Sequence, residues 1–268
     1  MSNGREERIA VFQDTMDMTE TDAELKASVK TSVAGTKFYP VGIPDVKAET
    51  DKKGHVFVTK ERSFEAAMNC AAKNHGKRIV VHNFASATNP GGGVAWGSTA
   101  QEEALCRTST LFPCLKQEML WNSFYSFHRE RHDTRYTNAA IYTPDVTVFK
   151  TDEAFPELMD RNDWLKVDVI TLAAPNLKEL RISDEELFSL HMDRAEKLVK
   201  VALDNKADCL ITGAFGCGAF RNNPAVVASA FKEVMDKYGD AFDEVVFAIY
   251  CSEKDKANYE AFKRILRW

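Results

Sequence analysis

The pattern that most constrains this chain is a repeated alternation of apolar strands with helix-forming segments. Four runs of consecutive β-branched and apolar residues are typical of strands that are buried on both faces. The runs are RIVVHNF, VDVITLAAP, DCLITG and EVVFAIYC, at residues 78–84, 167–175, 208–213 and 244–251. Buried strands that alternate with helices predict an α/β fold, built as a three-layer sandwich with the sheet in the middle.

A helical extension precedes this core at the N-terminus. Residues 5–17 and 21–33 have the pattern of two helices. The sequence contains no internal repeat, no low-complexity tract and no linker long enough to divide the chain. We therefore predict a single domain over residues 1–268, with a helical extension at 1–35 and the core from about 36 to 268.

Helix-capping residues and prolines predict where the other helices and strands begin and end. Helices are expected to be capped or begun at Ser63, Ser183, Pro224 and Ser252, and to span 99–111 and 115–127. The polar segment 128–138 is expected to be an exposed loop. Residues 139–149 are expected to form a strand or hairpin that is interrupted at Pro144.

Charge and hydropathy argue against several classes of protein. The net charge is −5, from 35 basic and 40 acidic side chains, so a broad basic surface that reads duplex nucleic acid is not expected. An anionic small ligand is compatible with this charge, because backbone N–H groups bind phosphate without lysine. No apolar run approaches the roughly 18 residues of a membrane span, and the N-terminus lacks a secretory signal.

The six cysteines contain no CxxC pair and no zinc-ligand spacing. Several of them lie inside apolar runs, which favours buried free thiols over disulfides and a reducing compartment. We therefore expect a cytoplasmic or nuclear protein. No metal and no cofactor are expected.

Two glycine-rich loops follow predicted strands. The first glycine loop (residues 85–98) contains three consecutive glycines, and the second glycine loop (residues 213–220) has the sequence GAFGCGAF. Glycine lets the backbone approach a ligand closely and exposes N–H groups, and ligands of α/β sheets bind outside the carboxyl ends of strands. The second loop leads into a helix capped by Asn222 or Asn223, whose positive end favours phosphate. Neither loop has the P-loop or GxGxxG pattern.

Two adjacent glutamates, Glu102 and Glu103, form an acid pair at the start of the helix after the first loop. Acidic residues at a helix N-terminus often do no more than complement the helix dipole. Neighbouring residues of a helix point about 100° apart, so the two carboxylates cannot act identically. One of them is suited to catalysis and the other to holding a sugar hydroxyl, as hydrolysis of a glycosidic bond requires.

These motifs together resemble a known enzyme family. PGGG-x7-QEE is similar to the GGG-x6–8-QEE signature of poly(ADP-ribose) glycohydrolases. The segments NFAS, NPGGG, YTPDVTVF and GAFGCGAFRNNP resemble the shorter, microbial-type catalytic domain, and the likeness covers roughly residues 5–262. The resemblance implies a macrodomain-like fold with a mixed sheet and extra N-terminal helices. It also implies exo-acting hydrolysis of the ribose–ribose O-glycosidic bond of poly(ADP-ribose), which releases ADP-ribose, with ADP-ribosylated proteins as partners.

Carried over residue by residue, the resemblance implies that Glu103 is the catalytic acid/base and that Glu102 fixes the ribose hydroxyls. The ligand contacts that it implies lie on both glycine loops and beside the acid pair. They are Asn83 after the strand, Gly91, Gly92 and Gly93 on the ribose and phosphate side, Gln101 in the signature, Gly216, Cys217, Gly218 and Ala219 over the pyrophosphate, and Phe220 beside the terminal ribose. The motifs do not assign the contacts to adenine.

Two other functions are compatible with the same motifs. One is a reader that binds ADP-ribose without hydrolysing it, and the presence of QEE argues against it. The other is hydrolysis of a different ADP-ribosyl linkage, such as a mono-ADP-ribosyl group.

Several other polar and aromatic residues have simpler structural interpretations. His82 is expected to be a core or edge histidine, and His128 and His132 are expected on a solvated surface. Cys217 is better explained as a small side chain beside phosphate than as a nucleophile, because no partner histidine is identifiable. Trp96 is either a mobile lid over the ligand or a packed loop aromatic.

Overall fold

A seven-stranded mixed sheet forms the centre of the protein, with helices on both faces. The structure, a computed structural model, describes residues 4–48, 52–253 and 255–267. The strands are β1 (Lys37–Tyr39), β2 (His55–Thr59), β3 (Ile79–Phe84), β4 (Ala140–Val148), β5 (Leu165–Leu172), β6 (Cys209–Thr212) and β7 (Glu244–Ala248). The helices are α1 (Gly4–Thr21), α2 (Ala23–Gly35), α3 (Ser63–Lys73), α4 (Gln101–Thr108), α5 (Leu111–Leu115), α6 (Glu118–Leu120), α7 (Phe127–Arg131), α8 (Asp184–Asp204), α9 (Pro224–Tyr238) and α10 (Ala257–Ile265).

The strand order brings the two glycine loops to one edge of the sheet. The order is β1-β4-β5-β3-β6-β7-β2. Among the described strands, β4 is the one that runs opposite to all the others. The central strands β5, β3, β6 and β7 are parallel, so their carboxyl ends meet at the same edge. The first glycine loop leaves β3 and the second leaves the adjacent β6, which places them side by side.

Alternate residues of the central strands build two separate cores, as expected for a sheet that is covered on both faces. Val80 and Leu210 point to one face and pack with α8, α9 and α10. Val81 and Ile211 point to the other face, where the core also contains residues of α1, α3, α4 and α5. These central side chains are at most 1% exposed. The three-layer architecture predicted from the sequence is therefore confirmed.

The N-terminal helices are fixed to this core by a buried lysine. The Lys150 side chain is 2% exposed, and its Nζ donates to Asp14 Oδ2 at 2.6 Å and to Thr15 Oγ1 at 2.8 Å on α1. Asp22 ends the first helix and caps the second, because its carboxylate accepts from Glu24 N and Leu25 N at 3.0 and 3.1 Å. No helix of the described residues is long and apolar enough to cross a membrane.

Tertiary pairing corrects the predicted helix over 99–111. The helix begins at Gln101 and stops after Thr108, because Ser109 pairs with Val148 across a β-bridge and Thr110 N donates to Thr147 O at 3.0 Å. The next helical segment, predicted at 115–127, is made of α6, a π-helical turn at Trp121–Ser126 and α7.

The predicted loop at 128–138 is partly wrong, since α7 continues through Arg131. His128 is 2% exposed and contacts Phe124 O and Thr137 Oγ1 at 2.8 Å, so its predicted place on a solvated surface is wrong. His132 is exposed, as predicted.

The structure decides one open alternative and corrects two boundaries. Of the predicted strand or hairpin over 139–149, the strand is confirmed, and β4 has a β-bulge at the predicted break, Pro144. Arg62 occupies the cap position of α3, and Ser63 is the first helical residue. The last helix begins at Ala257, because Ser252 forms a turn in which its hydroxyl accepts from Asp255 N at 3.2 Å.

Candidate active site

A large cleft of about 1080 Å³ lies at the carboxyl edge of the parallel strands. Residues that follow β3, β5, β6, β7 and β2 line it, so the whole parallel part of the sheet contributes. Of the predicted site residues, those lining the cleft are Gly92, Gly93, Gln101, Glu102, Glu103, Gly216, Gly218, Ala219 and Phe220. The cleft also contains residues that the motifs did not indicate, among them Glu61, Arg62, Tyr250 and Asn258.

The three glycines of the first loop wrap closely around the acid pair. Gly91 and Gly92 have positive φ angles of 68° and 58°, a backbone conformation that residues with a side chain rarely adopt. A Cβ atom at Gly92 would collide with Glu103 Oε1 and would lie 3.1 Å from Glu102 Oε2. Both carboxylates therefore occupy the space that a side chain at this position would take.

One oxygen of Glu103 is hydrogen-bonded, and the other is buried without a partner. Its Oε1 accepts from the backbone N–H of Gly93 at 2.8 Å. Its Oε2 has no hydrogen-bond partner within the described part of the chain. The side chain is only 7% exposed and belongs to the wall of the cleft, so an unpaired carboxyl oxygen lies buried in that wall.

Glu102 is more fully engaged by the protein. Its Oε2 accepts from Ser86 N at 2.7 Å and its Oε1 accepts from Asn83 Nδ2 at 3.3 Å. Burial raises the pKa of Glu102 to about 8, and the nearby charge of Glu103 adds to this effect. Glu102 therefore retains a proton near neutral pH.

Two residues that are expected to contact the ligand also make hydrogen bonds next to the acid pair. Asn83 is fully buried, lies outside the cleft lining, and donates to Glu102 and to Thr171 Oγ1 at 3.1 Å. Direct contact of Asn83 with the ligand remains a prediction. The Gln101 amide accepts from Phe84 N at 2.9 Å and donates to Ser63 Oγ and His82 O at 3.0 and 2.8 Å. Its polar atoms thus tie α4 to β3 and α3.

Helix α1 supports the first glycine loop from the outside. Arg5 Nε donates to Trp96 O at 2.9 Å, and Arg8 Nε donates to Gly97 O at 2.8 Å. The Trp96 side chain is 69% exposed and lines the cleft, so of the two predicted alternatives the packed aromatic is excluded. The helical extension therefore helps to shape the site.

The second glycine loop is held by one buried asparagine. Asn222 Nδ2 donates to Pro175 O, Gly216 O and Phe220 O at 2.7, 3.1 and 3.2 Å. Its Oδ1 is therefore the acceptor for His191 Nε2, at 2.7 Å. Burial lowers the pKa of His191 to about 4, so the ring is neutral and carries its proton on Nε2.

Several backbone N–H groups of this loop have no partner in the protein. Within the described residues, those of Gly216, Gly218, Ala219 and Phe220, which line the cleft, are among the N–H groups that donate to no protein acceptor. Successive N–H groups of this kind form a concave site for anions. Helix α9 begins directly after the loop with Asn223 as its N-cap, and the positive end of a helix also favours phosphate.

Gly91 and Cys217 lie behind the surface that lines the cleft. Gly91 packs against Phe112 and Cys106, so it serves the shape of the loop. The Cys217 thiol is half-buried and burial raises its pKa, which makes it a poor nucleophile. All six cysteines are free thiols, as predicted.

Sequence reasoning missed His191, and it assigned Asn222 only to helix capping. His191 lies in the middle of α8, and nothing in its local sequence connects it to a loop 31 residues away. The backbone N–H of Ser86 was missed because backbone donors have no sequence signal. Among the described residues there is no group of three or more side chains that could hold a metal ion.

The fold and this site define a class of protein. It is a macrodomain-like α/β protein in which a glycine-rich loop and a pair of carboxyl groups line the same cleft. The chain belongs to the microbial-type PARG (poly(ADP-ribose) glycohydrolase) catalytic-domain family, because the profile of that family matches residues 7–151, more than half of the chain.

Solved structures agree with this assignment. Poly(ADP-ribose) glycohydrolase from Thermomonospora curvata is 30% identical, with a TM-score of 0.84 over 98% of this chain and 100% of that chain. The same enzyme bound to the inhibitor ADP-HPD is 31% identical, with a TM-score of 0.83 over 97% of this chain and 99% of that chain. The enzyme from Deinococcus radiodurans in complex with ADP-ribose is 30% identical, with a TM-score of 0.76 over 89% and 96%. No match was found among curated protein sequences.

Proposed function

We propose that this protein hydrolyses the ribose–ribose O-glycosidic bond of poly(ADP-ribose) and releases ADP-ribose from the end of the chain. Membership of the microbial-type family supports this function. The observation that carries it is the buried, unpartnered Oε2 of Glu103 in the wall of a cleft that the second glycine loop, with its unpaired backbone N–H groups, also lines. ADP-ribosylated proteins would present the polymer to this cleft.

The ligand would lie across both glycine loops. Its diphosphate would accept hydrogen bonds from the N–H groups of the second loop, next to the positive end of α9. Its terminal ribose would then lie between Phe220 and the acid pair. Since Glu102 retains a proton near neutral pH, it can donate to a ribose hydroxyl as well as accept from one.

The proposed reaction uses one carboxyl group twice. The reaction starts from the protonated form of Glu103, which gives its proton to the leaving oxygen, and the C1–O bond breaks with its electron pair going to that oxygen. The positive charge that develops on the ribose is stabilised by the Glu103 carboxylate that this transfer leaves. The Glu103 carboxylate then takes a proton from a water molecule, whose oxygen adds to C1 and completes the hydrolysis.

The first test is Glu103→Gln, which removes the transferable proton and keeps the shape of the side chain. We expect the rate of ADP-ribose release from polymer to fall at least about 10²-fold, while the affinity for ADP-ribose changes little. Glu130→Gln, on the exposed side of α7, is the matched control and should retain the wild-type rate. Release at the wild-type rate by Glu103→Gln would contradict the assignment.

Two outcomes would favour other functions. Tight binding of polymer by the wild-type protein without release of ADP-ribose would indicate a reader. Faster release from mono-ADP-ribosylated substrates than from polymer would indicate hydrolysis of another linkage. The lengths of the products distinguish exo from endo cleavage, because an exo-acting enzyme releases only single ADP-ribose units at early times.

A further inference from the structure

A second, smaller groove lies directly behind the first glycine loop. Its volume is about 340 Å³, at the lower end of the range for ligand sites, about 300–1,000 Å³. Pro90, Phe112, Lys116, Glu118 and Trp121 line it. Pro90 also lines the main cleft, so the two share one wall.

This groove lies at the acid end of the main cleft. Gly91, the next residue after the shared proline, packs against the ring of Phe112. The following residues Gly92 and Gly93 contact the Glu103 carboxylate on the other side of the turn. A few residues of backbone therefore separate the groove from the group proposed to protonate the leaving oxygen.

The groove has aromatic rings with cations beside them. Trp121 is 38% exposed, and the Arg129 guanidinium lies over its ring at 4.8 Å. Lys116 Nζ lies over the Phe112 ring at 5.6 Å. Glu118 is the one acidic residue of the lining, so with Arg129 beside it the groove has an excess of positive charge.

The backbone here is also unusual. Trp121 begins the π-helical turn Trp121–Ser126, a conformation that is rare and frequent at functional sites. Arg129 connects this turn to the first glycine loop, because its Nε donates to Thr88 O at 2.8 Å and its Nη2 donates to Asn89 Oδ1 at 2.5 Å. The groove and the loop that surrounds the acid pair are thus one connected unit.

We propose that this groove binds the adenine and diphosphate of the ADP-ribose unit next to the one being released, an inference that rests on the proposed glycohydrolase function. The leaving oxygen that Glu103 protonates belongs to the adenosine ribose of that neighbouring unit, so the adenine of that unit is one sugar ring from the bond that breaks. Stacking on Trp121 suits a nucleobase. The ammonium of Lys116 suits the diphosphate that follows.

The groove would be used by polymer but not by the released ADP-ribose, and this difference provides the test. We expect Trp121→Ala to raise the KM for poly(ADP-ribose) at least about fivefold, the loss typical of one stacked base. Lys116→Glu should also raise this KM, and the effect should weaken at high salt. In both variants the Kd for ADP-ribose, measured by calorimetry, should stay within about twofold of wild type. Met119→Ala is the matched control, because Met119 lies between the two substituted positions in the sequence, is exposed, and is outside the groove lining.

Polymer binding is measured a second time with each substitution placed in the Glu103→Gln background, where turnover does not interfere. An increase in KM or Kd confined to polymer in either variant supports the groove. Polymer affinity equal to that of the parent protein in both variants, or equal losses for polymer and ADP-ribose in both, would overturn it. If the wild-type protein fails to release ADP-ribose from polymer, the proposed function fails instead, and the binding measurements still decide whether the groove holds polymer.

Discussion

The two glycine loops use the same residue type for different physical reasons. In the first loop, Gly92 has no side chain because two carboxylates fill the space where a side chain would be. In the second loop, Gly218 faces open space, and a buried asparagine holds the loop through two of its backbone carbonyl groups. The first loop is therefore built around charged groups and the second around unpaired backbone donors. This difference separates the residues that act on the bond from the residues that bind the ligand.

Gly92→Ala is expected to have the largest effect among the substitutions that test this difference between the two loops. The added methyl group would displace the Glu103 carboxylate, and the φ angle of 58° is itself unfavourable for alanine. A displacement of about 1 Å at a catalytic group can cost about 10²-fold, so we expect kcat to fall by at least about that factor. Steady-state kinetics on polymer measure the effect, and circular dichroism checks that the variant is folded. A kcat within about threefold of wild type would mean that the first loop does not position the acid.

The general architecture could be predicted because strands buried on both faces leave a clear pattern. The runs 78–84 and 208–213 could hardly be anything other than central strands, and glycines after them marked the binding edge. The two adjacent glutamates at a helix start were likewise visible in the sequence.

Other features depend on partners that are distant in sequence. The helix after Gln101 ends early because Ser109 pairs with Val148, and the local sequence contains no sign of this pairing. His128 was predicted to be exposed because it lies among charged residues, yet it is buried on the inner side of α7. Asn83 was assigned to the ligand by its position after a strand, and its hydrogen bond to Glu102 has no sign in the local sequence.

The second prediction is that Glu102, which the first loop surrounds, makes the stability of the protein depend on pH. Glu102 has a pKa of about 8 when folded, compared with an ordinary value of 4.5. Below pH 4.5 both the folded and the unfolded states hold this proton, so Glu102 does not make the free energy of unfolding depend on pH there. As pH rises from 4.5 to 8 the unfolded state releases the proton and the folded state keeps it, so the free energy of unfolding decreases.

We therefore expect wild type to lose on the order of 2 kcal/mol more than Glu102→Gln between pH 5 and pH 8. Urea denaturation of both proteins across this range measures the difference. Parallel pH profiles for the two proteins would mean that Glu102 ionises as freely as it does in solvent, contrary to its burial.

The third prediction concerns the support of the second loop. Asn222→Asp keeps the size of the side chain and the acceptor for His191, but it removes the donor to three backbone carbonyl groups. The loop should lose its shape, and the new carboxylate would repel the diphosphate. We expect the Kd for ADP-ribose to rise about tenfold, with a smaller change in kcat.

Calorimetric titration with ADP-ribose, together with kinetics on polymer, separates the two parameters. Asn223→Ser provides the control, because serine keeps the cap of α9 without touching the loop carbonyls. A loss confined to kcat would contradict the division of roles between the loops.

The smallest effect is expected for Gly218→Ala, and it is the sharpest comparison with Gly92→Ala. A Cβ atom at Gly218 would meet nothing within 4 Å, and Gly218 is not among the glycines with positive φ. The substitution should therefore leave ADP-ribose affinity and kcat within about threefold of wild type. The free energy of unfolding should rise by up to ~1 kcal/mol, because alanine reduces the conformational entropy of the unfolded chain. Calorimetry and thermal unfolding measure both effects. If affinity instead fell more than about tenfold, the diphosphate would lie against the Gly218 backbone itself, and the second loop, like the first, would need glycine to leave room for negative charge.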